Sequence, residues 1–304
     1  MRILITGSNG MLGSDLVTEL DSSYEVSGLG FRENRHPKIP YCQVDISDRP
    51  ALLRAIRSAK PGIIIHTAAF VDADACESDP KRAFLMNAKA TEFVAEASDE
   101  LGATLFFMSS DYIFDGTKPS PYAEGDPPNP LNVYGHSKVA AEQFLKTRCR
   151  SAWILRVSWL FGADGKNFFE TILKMALKGE KLRVVDDQKG APTYTKDLAK
   201  AIRALIEKGN RAKGCHTYHL ANSGETTWFK ATKKMFERAH LDVDLQPITS
   251  KELNRLAKRP LNSVFDTTRI QKDFGVRLRS WEEALDEFWS ESLEKKCQSL
   301  RVQP

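Results

Sequence analysis

The chain has 304 residues, 41% of them hydrophobic and 28% charged, and its formal net charge at pH 7 is +4. These proportions describe a globular chain long enough for one large domain or two moderate ones, and the small, mixed charge argues against nucleic-acid binding. The five cysteines lie far apart without a CxxC pair, which argues against a disulfide framework or a metal site and fits the reducing cytosol. Because Met1 is followed by neither a basic leader nor an apolar span of about 18 residues, we expect a cytoplasmic protein without a membrane anchor.

Short apolar segments alternate with longer amphipathic segments through the first half of the chain. The strand-length segments are RILIT, EVSGL, CQV, GIIIHTA, ATLFFMS and AWILRVS. Continuous apolar strands are typical of a parallel sheet covered on both faces, and the helix-length segments between them supply the crossovers. We therefore predict an α/β fold in which residues 1–160 form a doubly wound parallel sheet of the Rossmann type.

The first predicted strand is followed at once by TGSNGMLG, which opens the first predicted helix. Glycines at this spacing allow a tight turn, let the backbone approach a pyrophosphate and direct the helix N-terminus at its charge. The position after a first strand favours a dinucleotide site over a turn with only a structural role, so residues 1–160 are predicted to be a dinucleotide-binding domain. The predicted cofactor-binding residues in this motif are Gly7, Asn9, Gly10, Met11, Leu12 and Gly13.

The end of the second strand, GLGFRENRH, bears on which dinucleotide binds. An acid there would bind the ribose 2'-hydroxyl of NADH, whereas a cation favours the 2'-phosphate of NADPH. Arg32 and Arg35 can hold a phosphate through their planar guanidinium groups, and Glu33 is the competing acid. We predict NADPH, with NADH as the alternative.

Further cofactor contacts are predicted after the third and fourth strands. Asp45, in QVDIS, is placed to reach the adenine edge, and the alternative is that it caps a helix beginning near Ser47. The other residues predicted to contact the cofactor are Ile46, Ala68 and Ala69.

Polar residues follow the fifth strand in MSSDYIFDG, at the carboxyl end where open α/β sheets bind ligands. Ser109, Ser110 and Asp111 are therefore predicted to face a cleft, although serines at a strand end also serve as simple turn formers. About twenty residues later, YGHSK places Tyr134 and Lys138 one helical turn apart on a helix predicted to begin near residue 131. A surface pair is the plain alternative, but together these groups form the donor set that a carbonyl reduction needs.

After residue 160 the alternation of segments is less regular. Helical segments such as NFFETILKMALKG and SWEEALDEFWSESLEKK mix with short strands such as CHTYHL. We expect residues 161–304 to form mainly a smaller C-terminal substrate-binding lobe, with segments near 195–222 returning to the sheet.

Taken together, these motifs resemble the extended short-chain dehydrogenase/reductase superfamily, with TGxxGxxG near the N-terminus, a Ser or Thr after the fifth strand and YxxxK on the next helix. More narrowly, the chain resembles the dTDP-4-dehydrorhamnose reductase family over nearly its whole length. The stretches that carry this likeness are SSDYIFDG, YGHSK, LRVSWLFG, GKNFFETIL, DDQKGAPTYTKDLA and KRPLNSVFDTTRI. The resemblance implies an NADPH-binding domain, a sugar-nucleotide-binding lobe, and reduction of the C4 ketone of a dTDP-linked 4-keto-6-deoxyhexose to dTDP-L-rhamnose or a close relative.

The resemblance also implies a role for each catalytic residue. Tyr134 would donate a proton to the developing alkoxide, Lys138 would lower the pKa of that tyrosine and hold the nicotinamide ribose, and Ser110 would donate a hydrogen bond to the carbonyl. Asp111 would order the site or the substrate, with capping of its own loop as the alternative. An ammonium about 4 Å from a phenolate contributes ~1–4 kcal/mol, or roughly one to three pKa units, which would bring tyrosine toward its working pH.

Three residues are expected to contact the sugar nucleotide. The resemblance implies that Trp159 packs against the deoxysugar ring and that Asn167 and Arg259 meet the nucleotide diphosphate. From the sequence alone, the tryptophan could equally belong to the core and the arginine could be an exposed charge. His216 and His219 fall on opposite faces of an alternating strand, so no metal site is predicted.

The chain departs from the family pattern after the fourth strand, where relatives commonly carry Tyr-Thr and this sequence has Phe70 and Val71. This departure bears on the identity of the sugar more than on the chemistry. Separately, the likeness leaves two alternative functions open. One is a non-catalytic NADP-binding regulatory subunit resembling that of methionine adenosyltransferase, whose pattern also has GFR after the second strand and YxxxK. The other is a nucleotide-sugar epimerase or dehydratase. Homodimers are common for such folds, so a homodimer is one expected assembly.

Overall fold

The computed structural model of the chain describes residues 1–209 and 213–301. The strands are β1 (Arg2–Thr6), β2 (Glu25–Gly30), β3 (Tyr41–Gln43), β4 (Ile63–His66), β5 (Thr104–Ser110), β6 (Ser151–Val157), β7 (Leu160–Phe161), β8 (Leu182–Val185), β9 (Lys189–Gly190), β10 (Thr193–Tyr194), β11 (Gly214–Leu220), β12 (Thr226–Thr227) and β13 (Leu245–Ile248).

The α-helices alternate with these strands in the first half of the chain. They are α1 (Met11–Leu20), α2 (Arg49–Ala59), α3 (Ala73–Ser78), α4 (Pro80–Phe84), α5 (Ala90–Leu101), α6 (Val133–Arg148), α7 (Phe168–Leu177), α8 (Thr195–Gly209), α9 (Trp228–Ala239), α10 (Ser250–Leu253), α11 (Thr268–Phe274), α12 (Trp281–Phe288) and α13 (Glu294–Arg301). A 3-10 turn, Asp111–Ile113, follows β5, and π-helical turns occur at Leu85–Lys89 and Trp289–Leu293. None of the helices within the described ranges has the length and apolar character needed to cross a membrane.

The largest sheet is parallel throughout, in the order β3-β2-β1-β4-β5-β6-β11. The chain runs outward from β1 to β3 and then returns to β4 on the other side of β1. Because of this reversal, the crossovers on either side of β1 lie on opposite faces of the sheet, which opens a crevice at the carboxyl ends of β1 and β4. The predicted fold class, a doubly wound parallel sheet of the Rossmann type, is confirmed.

Helices cover both faces of this sheet, which explains the continuous apolar sequence of its central strands. Ile63, Ile64 and Ile65 are each at most 2% exposed. On one face α1 and α8 pack together, represented by Leu16 and Ile202 in one buried cluster, and on the other face α2, α5 and α6 form a second cluster. Burial of each such side chain contributes about 1.5–3 kcal/mol, so the frame around the crevice is rigid.

The remaining strands form a smaller lobe beside the carboxyl edge of the sheet. They pair as β7 with β10, β8 with β13, and β9 with β12. Aromatic side chains fill this lobe, and Phe161 lies 5.2 Å from Tyr194 and 5.1 Å from Phe169 between ring centroids. After β10 the chain leaves this lobe, since α8 packs on α1 and β11 pairs with β6. Two separate parts of the chain thus build the main sheet. The smaller lobe lies next to the crevice at the carboxyl ends of β1 and β4, since Gly165 and Lys166 line the same cleft as the glycine-rich turn.

Candidate active site

The glycine-rich turn between β1 and α1 has no room for side chains at its key positions. Gly7 has a φ of +72°, and its carbonyl accepts a 2.8 Å hydrogen bond from the amide of Gly10. A Cβ on Gly13 would lie 2.1 Å from that same carbonyl oxygen. No side chain in the described part of the chain caps the start of α1 at Met11. The amides at this helix start therefore face the crevice and fit a pyrophosphate.

Asn9 ties the glycine-rich turn to the loop after β2. Its amide nitrogen donates to the carbonyl oxygen of Glu33 over 2.8 Å, and its amide oxygen accepts from the backbone of Arg35 over 3.0 Å. The phenol of Tyr41 donates to the carbonyl of Arg32. These bonds hold the two arginines beside the turn, where a ribose 2'-phosphate would reach them.

The residues predicted to bind the cofactor come together at one cleft, apart from Arg35, which lines an adjoining cavity together with Arg32. The cleft is lined, among others, by Gly7, Asn9, Gly10, Met11, Leu12, Gly13, Arg32, Asp45, Ile46, Ala68, Ala69, Tyr134 and Lys138. Sequence reasoning missed further lining residues, including Thr67, Met108, Leu160 and Lys166. Thr67 and Met108 could have been found from their place at strand ends beside predicted residues. Lys166 belongs to the smaller lobe, and only the fold brings it over α1.

Asp45 lies in the cleft but does not cap the next helix. Its Oδ1 accepts hydrogen bonds from the backbone amide and the hydroxyl of Ser47, at 2.9 and 2.8 Å. The helix itself, α2, begins at Arg49, and Asp48 is its N-cap. The alternative of a cap near Ser47 is wrong, because Asp45 closes a turn that ends before the helix starts.

Tyr134 occupies the first turn of α6. This helix begins at Val133, and the Oδ1 of its N-cap, Asn132, accepts from the amide of Gly135 over 2.8 Å. A Cβ on Gly135 would lie 2.1 Å from the carbonyl oxygen of Tyr112. Glycine at this position thus lets α6 approach the turn after β5, so the tyrosine meets the residues at that strand end.

Lys138 lies one turn further along α6 and is buried, with 3% of its surface exposed. Its Nζ donates to the carbonyl oxygen of Met108 over 2.9 Å and lies 5.8 Å from the centre of the Tyr134 ring. Burial lowers the pKa of this lysine to about 8, and the carboxylate of Glu142 opposes that shift. The ammonium is thus a fixed group of the cleft and the surface-pair interpretation is wrong.

The pKa of Tyr134 differs in direction from the sequence-based expectation. Burial raises it above the ordinary value, hydrogen bonding with Ser110 opposes the rise, and the carboxylate of Asp111 adds to it. Lys138 directs its Nζ at a carbonyl group, so its charge does not overcome these effects in the protein without ligands. The phenol is consequently protonated over the neutral range in the protein without ligands, and it is a weaker acid there than an ordinary tyrosine.

Ser110 and Asp111 stand at the carboxyl end of β5, as the motif predicted. The Ser110 hydroxyl donates to Oδ1 of Asp111 over 3.0 Å and accepts from the amide of Tyr112 over 3.2 Å. Burial raises the pKa of Asp111 to about 6, and hydrogen bonding with Ser263 and Ser110 opposes the rise. The pair is buried beside the phenol of Tyr134, and of the three residues predicted to face the cleft it is Ser109 that lines it.

Trp159 is placed between the two lobes in a left-handed backbone conformation, with a φ of +48°. Its indole stacks on Trp228 at 3.8 Å between ring centroids and an angle of 7°. Gly190 lies against the same indole, because a Cβ there would be 2.4 Å from Cε2. Trp228 covers one face of the ring, so a sugar could stack only on the other.

Asn167 and Arg259 both have partners within the protein. Asn167 is the N-cap of α7: its Oδ1 accepts from the amide of Glu170 over 3.0 Å and its Nδ2 donates to the carbonyl of Gly162 over 2.9 Å. Arg259 forms two parallel hydrogen bonds to the carboxylate of Asp74, each 2.9 Å long. Contact with a diphosphate would require these side chains to share or exchange their partners.

Phe70 and Val71, which depart from the Tyr-Thr pair that the resemblance leads us to expect, follow β4 and have different surroundings. Asn87 fixes Phe70 through both backbone groups, at 2.7 and 2.9 Å, and the ring of Phe70 lies 4.9 Å from the guanidinium carbon of Arg82. Val71 is 67% exposed and lines the cleft. At Val71 the departure therefore places an apolar side chain on the surface of the cleft.

The histidines of β11 point into different surroundings. His216 packs near Trp153 at 5.5 Å, whereas His219 stacks on Phe265 at 4.1 Å between ring centroids. Across residues 1–209 and 213–301, no group of three or more His, Cys, Asp or Glu residues is arranged to hold a metal ion.

Comparisons with known proteins agree with this arrangement. The chain is 36% identical to the dTDP-4-dehydrorhamnose reductase of Aggregatibacter actinomycetemcomitans, covering 93% of this chain and 97% of that protein. It is 34% identical to the spore coat polysaccharide biosynthesis protein SpsK of Bacillus subtilis, covering 95% and 97%. Among solved structures, dTDP-4-dehydrorhamnose reductase from Bacillus anthracis in complex with NADP superposes with a TM-score of 0.87 at 35% identity, covering 96% of this chain and 99% of that one.

A family model reaches across both lobes. The model described as the RmlD substrate binding domain matches residues 1–294, which include the glycine-rich turn, the Tyr134 helix and the smaller lobe. With this match and with relatives above 30% identity over nearly its full length, the chain belongs to the RmlD substrate binding domain family.

Proposed function

We propose that this protein is an NADPH-dependent oxidoreductase that reduces the C4 ketone of a dTDP-linked 4-keto-6-deoxyhexose, giving dTDP-L-rhamnose or a close relative. The observation that carries this proposal is that Tyr134 and Lys138 line the cleft that begins at the glycine-rich turn, with the Ser110 hydroxyl next to the phenol. Relatives named dTDP-4-dehydrorhamnose reductase, one of them in complex with NADP, support it.

The two parts of the chain have separate tasks in this proposal. Residues 1–160, with the segments near 195–222 that pack on the same sheet, hold the cofactor, and residues 161–304 mainly hold the sugar nucleotide. The glycine-rich turn and the amides of α1 fit the cofactor pyrophosphate. Arg32 and Arg35 would meet its 2'-phosphate, and Asp45 its adenine edge.

The cofactor, when bound, supplies the hydride that converts the C4 ketone into a hydroxyl group. Tyr134 donates its phenolic proton to the oxygen that becomes negative, and its raised pKa means that the proton is present over the neutral range. Ser110 turns its hydroxyl from Asp111 to the carbonyl oxygen of the substrate. Lys138 remains charged below pH about 8 and stabilises the phenolate left after proton transfer.

The smaller lobe holds the substrate over these donors in this proposal. The face of Trp159 opposite Trp228 would stack on the apolar C–H face of the deoxysugar, which would place the ketone beside the phenol. Arg259 and Asn167 bind the nucleotide diphosphate after changing their present partners. Before the substrate binds, the hydrogen bonds to Asp74 hold Arg259 in position.

The test of this function is net consumption of NADPH. Purified protein mixed with NADPH and a dTDP-4-keto-6-deoxyhexose is expected to lose absorbance at the rate at which a reduced deoxysugar nucleotide forms. A regulatory subunit would bind NADPH without turnover, and an epimerase or dehydratase would recycle its cofactor without net consumption. Absence of net oxidation with dTDP-, UDP- and GDP-linked keto-sugars would contradict the proposal.

Cofactor preference is expected to depend on the loop after β2. Arg32→Ala or Arg35→Ala should narrow the difference between NADPH and NADH affinity by roughly tenfold, because each removes a charged hydrogen-bond donor from the 2'-phosphate. Titration by intrinsic fluorescence at one fixed salt concentration measures both affinities. Arg148→Ala, an exposed arginine at the far end of α6, is the matched control and should leave both unchanged. Equal NADPH and NADH affinities in the parent protein would contradict the proposal that Arg32 and Arg35 bind the 2'-phosphate of NADPH.

Homodimerisation and a cytoplasmic location stay predictions from the sequence. Size-exclusion chromatography with light scattering would measure the first, and fractionation of the producing cell the second.

A further inference from the structure

Three functional side chains of α6 lie on one face of the helix at intervals of one turn. Tyr134 and Lys138 face the cleft, and Glu142 follows them in the buried interior with 1% of its surface exposed. A buried carboxylate is costly unless it is paired and hydrogen-bonded. The hydrogen-bond partners of Glu142 therefore indicate which parts of the fold this carboxylate connects.

Glu142 accepts hydrogen bonds at both carboxylate oxygens. Arg156 donates Nε to Oε1 over 2.9 Å and Nη2 to Oε2 over 2.8 Å, so the two side chains form a parallel pair. Ser109 donates its hydroxyl to Oε1 over 2.6 Å, and Lys146 donates to Oε2 over 3.0 Å. These donors keep the carboxylate ionised, since burial would raise the pKa of Glu142 but the opposing contacts lower it to about 2.

Arg156 extends this network to β11, the edge strand next to β6. Its Nη1 donates to the carbonyl of Glu124 over 3.2 Å and lies 3.3 Å from Nε2 of His219. Burial lowers the pKa of His219 to about 3, so that histidine is neutral and can accept the bond. The Glu142–Arg156 pair thus joins α6 to β6 and β11 below the cleft.

The same pair fixes how the end of β5 faces α6. Consecutive residues at the end of β5 contact the same face of α6. The carbonyl of Met108 accepts from Lys138 over 2.9 Å, and the hydroxyl of Ser109 donates to Glu142 over 2.6 Å. The next residue, Ser110, meets Tyr134. Glu142 therefore holds the register in which the serine, the phenol and the ammonium converge.

We propose that Glu142, held by Arg156, is a positioning residue of the reductase, which fixes the carboxyl end of β5 against α6 and supplies the buried negative charge beside Lys138. The proposal rests on the proposed function for its effect on turnover. Its effect on Lys138 itself needs neither substrate nor cofactor and is measured separately.

The charge environment of Lys138 makes a pH-dependent test feasible. The titratable groups around it are His66 from β4, Cys76 from α3, and Tyr134 and Glu142 from α6. Burial keeps His66 neutral, with its pKa lowered to about 3, and burial of the Cys76 thiol raises its pKa to about 11. Glu142 is consequently the group that is ionised over the neutral range.

The first measurement is the pKa of Lys138 in the protein without ligands. Lysine side chains labelled with 13C at Cε are titrated by NMR, and the Lys138 signal is assigned by its loss in Lys138→Ala. In Glu142→Gln the pKa is expected to fall by about one unit, because the ammonium loses its buried counter-charge. In Glu142→Asp, which keeps the charge, it should stay near the parent value.

The second measurement is the pH profile of turnover with NADPH and the keto-sugar nucleotide. If Lys138 falls by about one unit from a value near 8, the parent-to-variant ratio of kcat should grow about fivefold between pH 6 and pH 8. Ser109→Ala keeps the ion pair intact and removes only the bond to β5, so it should lower kcat with little change in NADPH affinity or in the shape of the profile.

A matched control comes from the start of α8, away from α6 and the cleft. Asp197 accepts two 2.9 Å hydrogen bonds from Arg279 in the same parallel geometry and is 9% exposed. Asp197→Asn should lower the free energy of unfolding, as Glu142→Gln should, without changing the pKa of Lys138 or the pH profile of kcat.

An unchanged Lys138 pKa in Glu142→Gln, or equal kcat in Ser109→Ala and parent, would overturn the proposal. No turnover in the parent would instead contradict the proposed function, while the NMR titration would still decide the charge effect.

Discussion

Tyr134→Phe is expected to lower turnover of the keto-sugar nucleotide by a factor of about a hundred or more, the usual scale for loss of a general acid. The change removes the phenolic proton that would pass to the ketone oxygen, while the ring, its edge contact with Tyr112 and the fold of α6 stay in place. NADPH affinity should therefore change little. Steady-state kinetics and a fluorescence titration with NADPH measure the two effects.

Tyr112→Phe is the matched control for this experiment. Its ring lies 5.9 Å from that of Tyr134 at an angle of 79°, so the variant removes a neighbouring phenolic hydroxyl and preserves the ring. It should retain most of the parent turnover. If Tyr134→Phe did so as well, another group would supply the proton and the mechanism proposed for this site would be wrong.

The pH dependence of the parent reaction follows from the two shifted groups. Tyr134 has a raised pKa and stays protonated, so it sets no limit over the neutral range. Lys138 has a lowered pKa of about 8, so its charge is present below that value and is lost as pH rises through it. Turnover should accordingly fall on the alkaline side through deprotonation of the lysine rather than the tyrosine.

Much of this fold follows from local sequence patterns. Continuous apolar segments such as Ile63–Ile65 predict buried parallel strands, and the spacing of Gly7, Gly10 and Gly13 predicts the turn that opens α1. Both features can be predicted from short segments, because strand burial and turn geometry depend mainly on the residues within the segment itself. The position of the cleft follows from them once the strand order is known.

The electrostatics of the site could not be read from such segments. A helical spacing of four residues places Tyr134 and Lys138 on one face, but whether the ammonium lowers the pKa of the phenol depends on burial and on the direction of Nζ. In the folded protein Nζ points to the carbonyl of Met108, and burial raises the pKa of the tyrosine. These are results of packing between β5 and α6, which no single motif encodes.

Partners distant in sequence account for the differences among the predicted substrate residues. Arg259 pairs with Asp74, 185 residues away, and Trp159, which lies between β6 and β7, stacks on Trp228, the first residue of α9. Asn167 is different, because an asparagine directly before a helical segment is a common N-cap, so this role could have been predicted locally but was not. Glu142 follows Lys138 by the same four residues that separate Lys138 from Tyr134, and it also could have been found from that spacing but was not predicted.

Gly13→Ala is expected to lower NADPH affinity by roughly tenfold to a hundredfold, because overpacking costs about 1–3 kcal/mol and each 1.4 kcal/mol is about a factor of ten. The added Cβ would lie 2.1 Å from the carbonyl oxygen of Gly7 and 2.8 Å from the Cα of Ser8. Both are backbone atoms, so no side chain can move aside and the turn must separate from α1. The amides that fit the pyrophosphate would then lose their alignment.

Gly62→Ala separates this local effect from a general effect of adding a methyl group. Gly62 directly precedes β4, at the amino ends of the strands and so at the opposite end of the sheet from the cleft. Its added Cβ would make only ordinary contacts, 3.7 Å from the Cγ of Met1 and 3.8 Å from the carbonyl oxygen of Arg2. Its NADPH affinity should equal that of the parent. Thermal unfolding of both variants measures whether the altered turn also lowers stability, and fluorescence titration measures binding. Unchanged NADPH affinity in a folded Gly13→Ala protein would mean that the pyrophosphate does not bind at the start of α1.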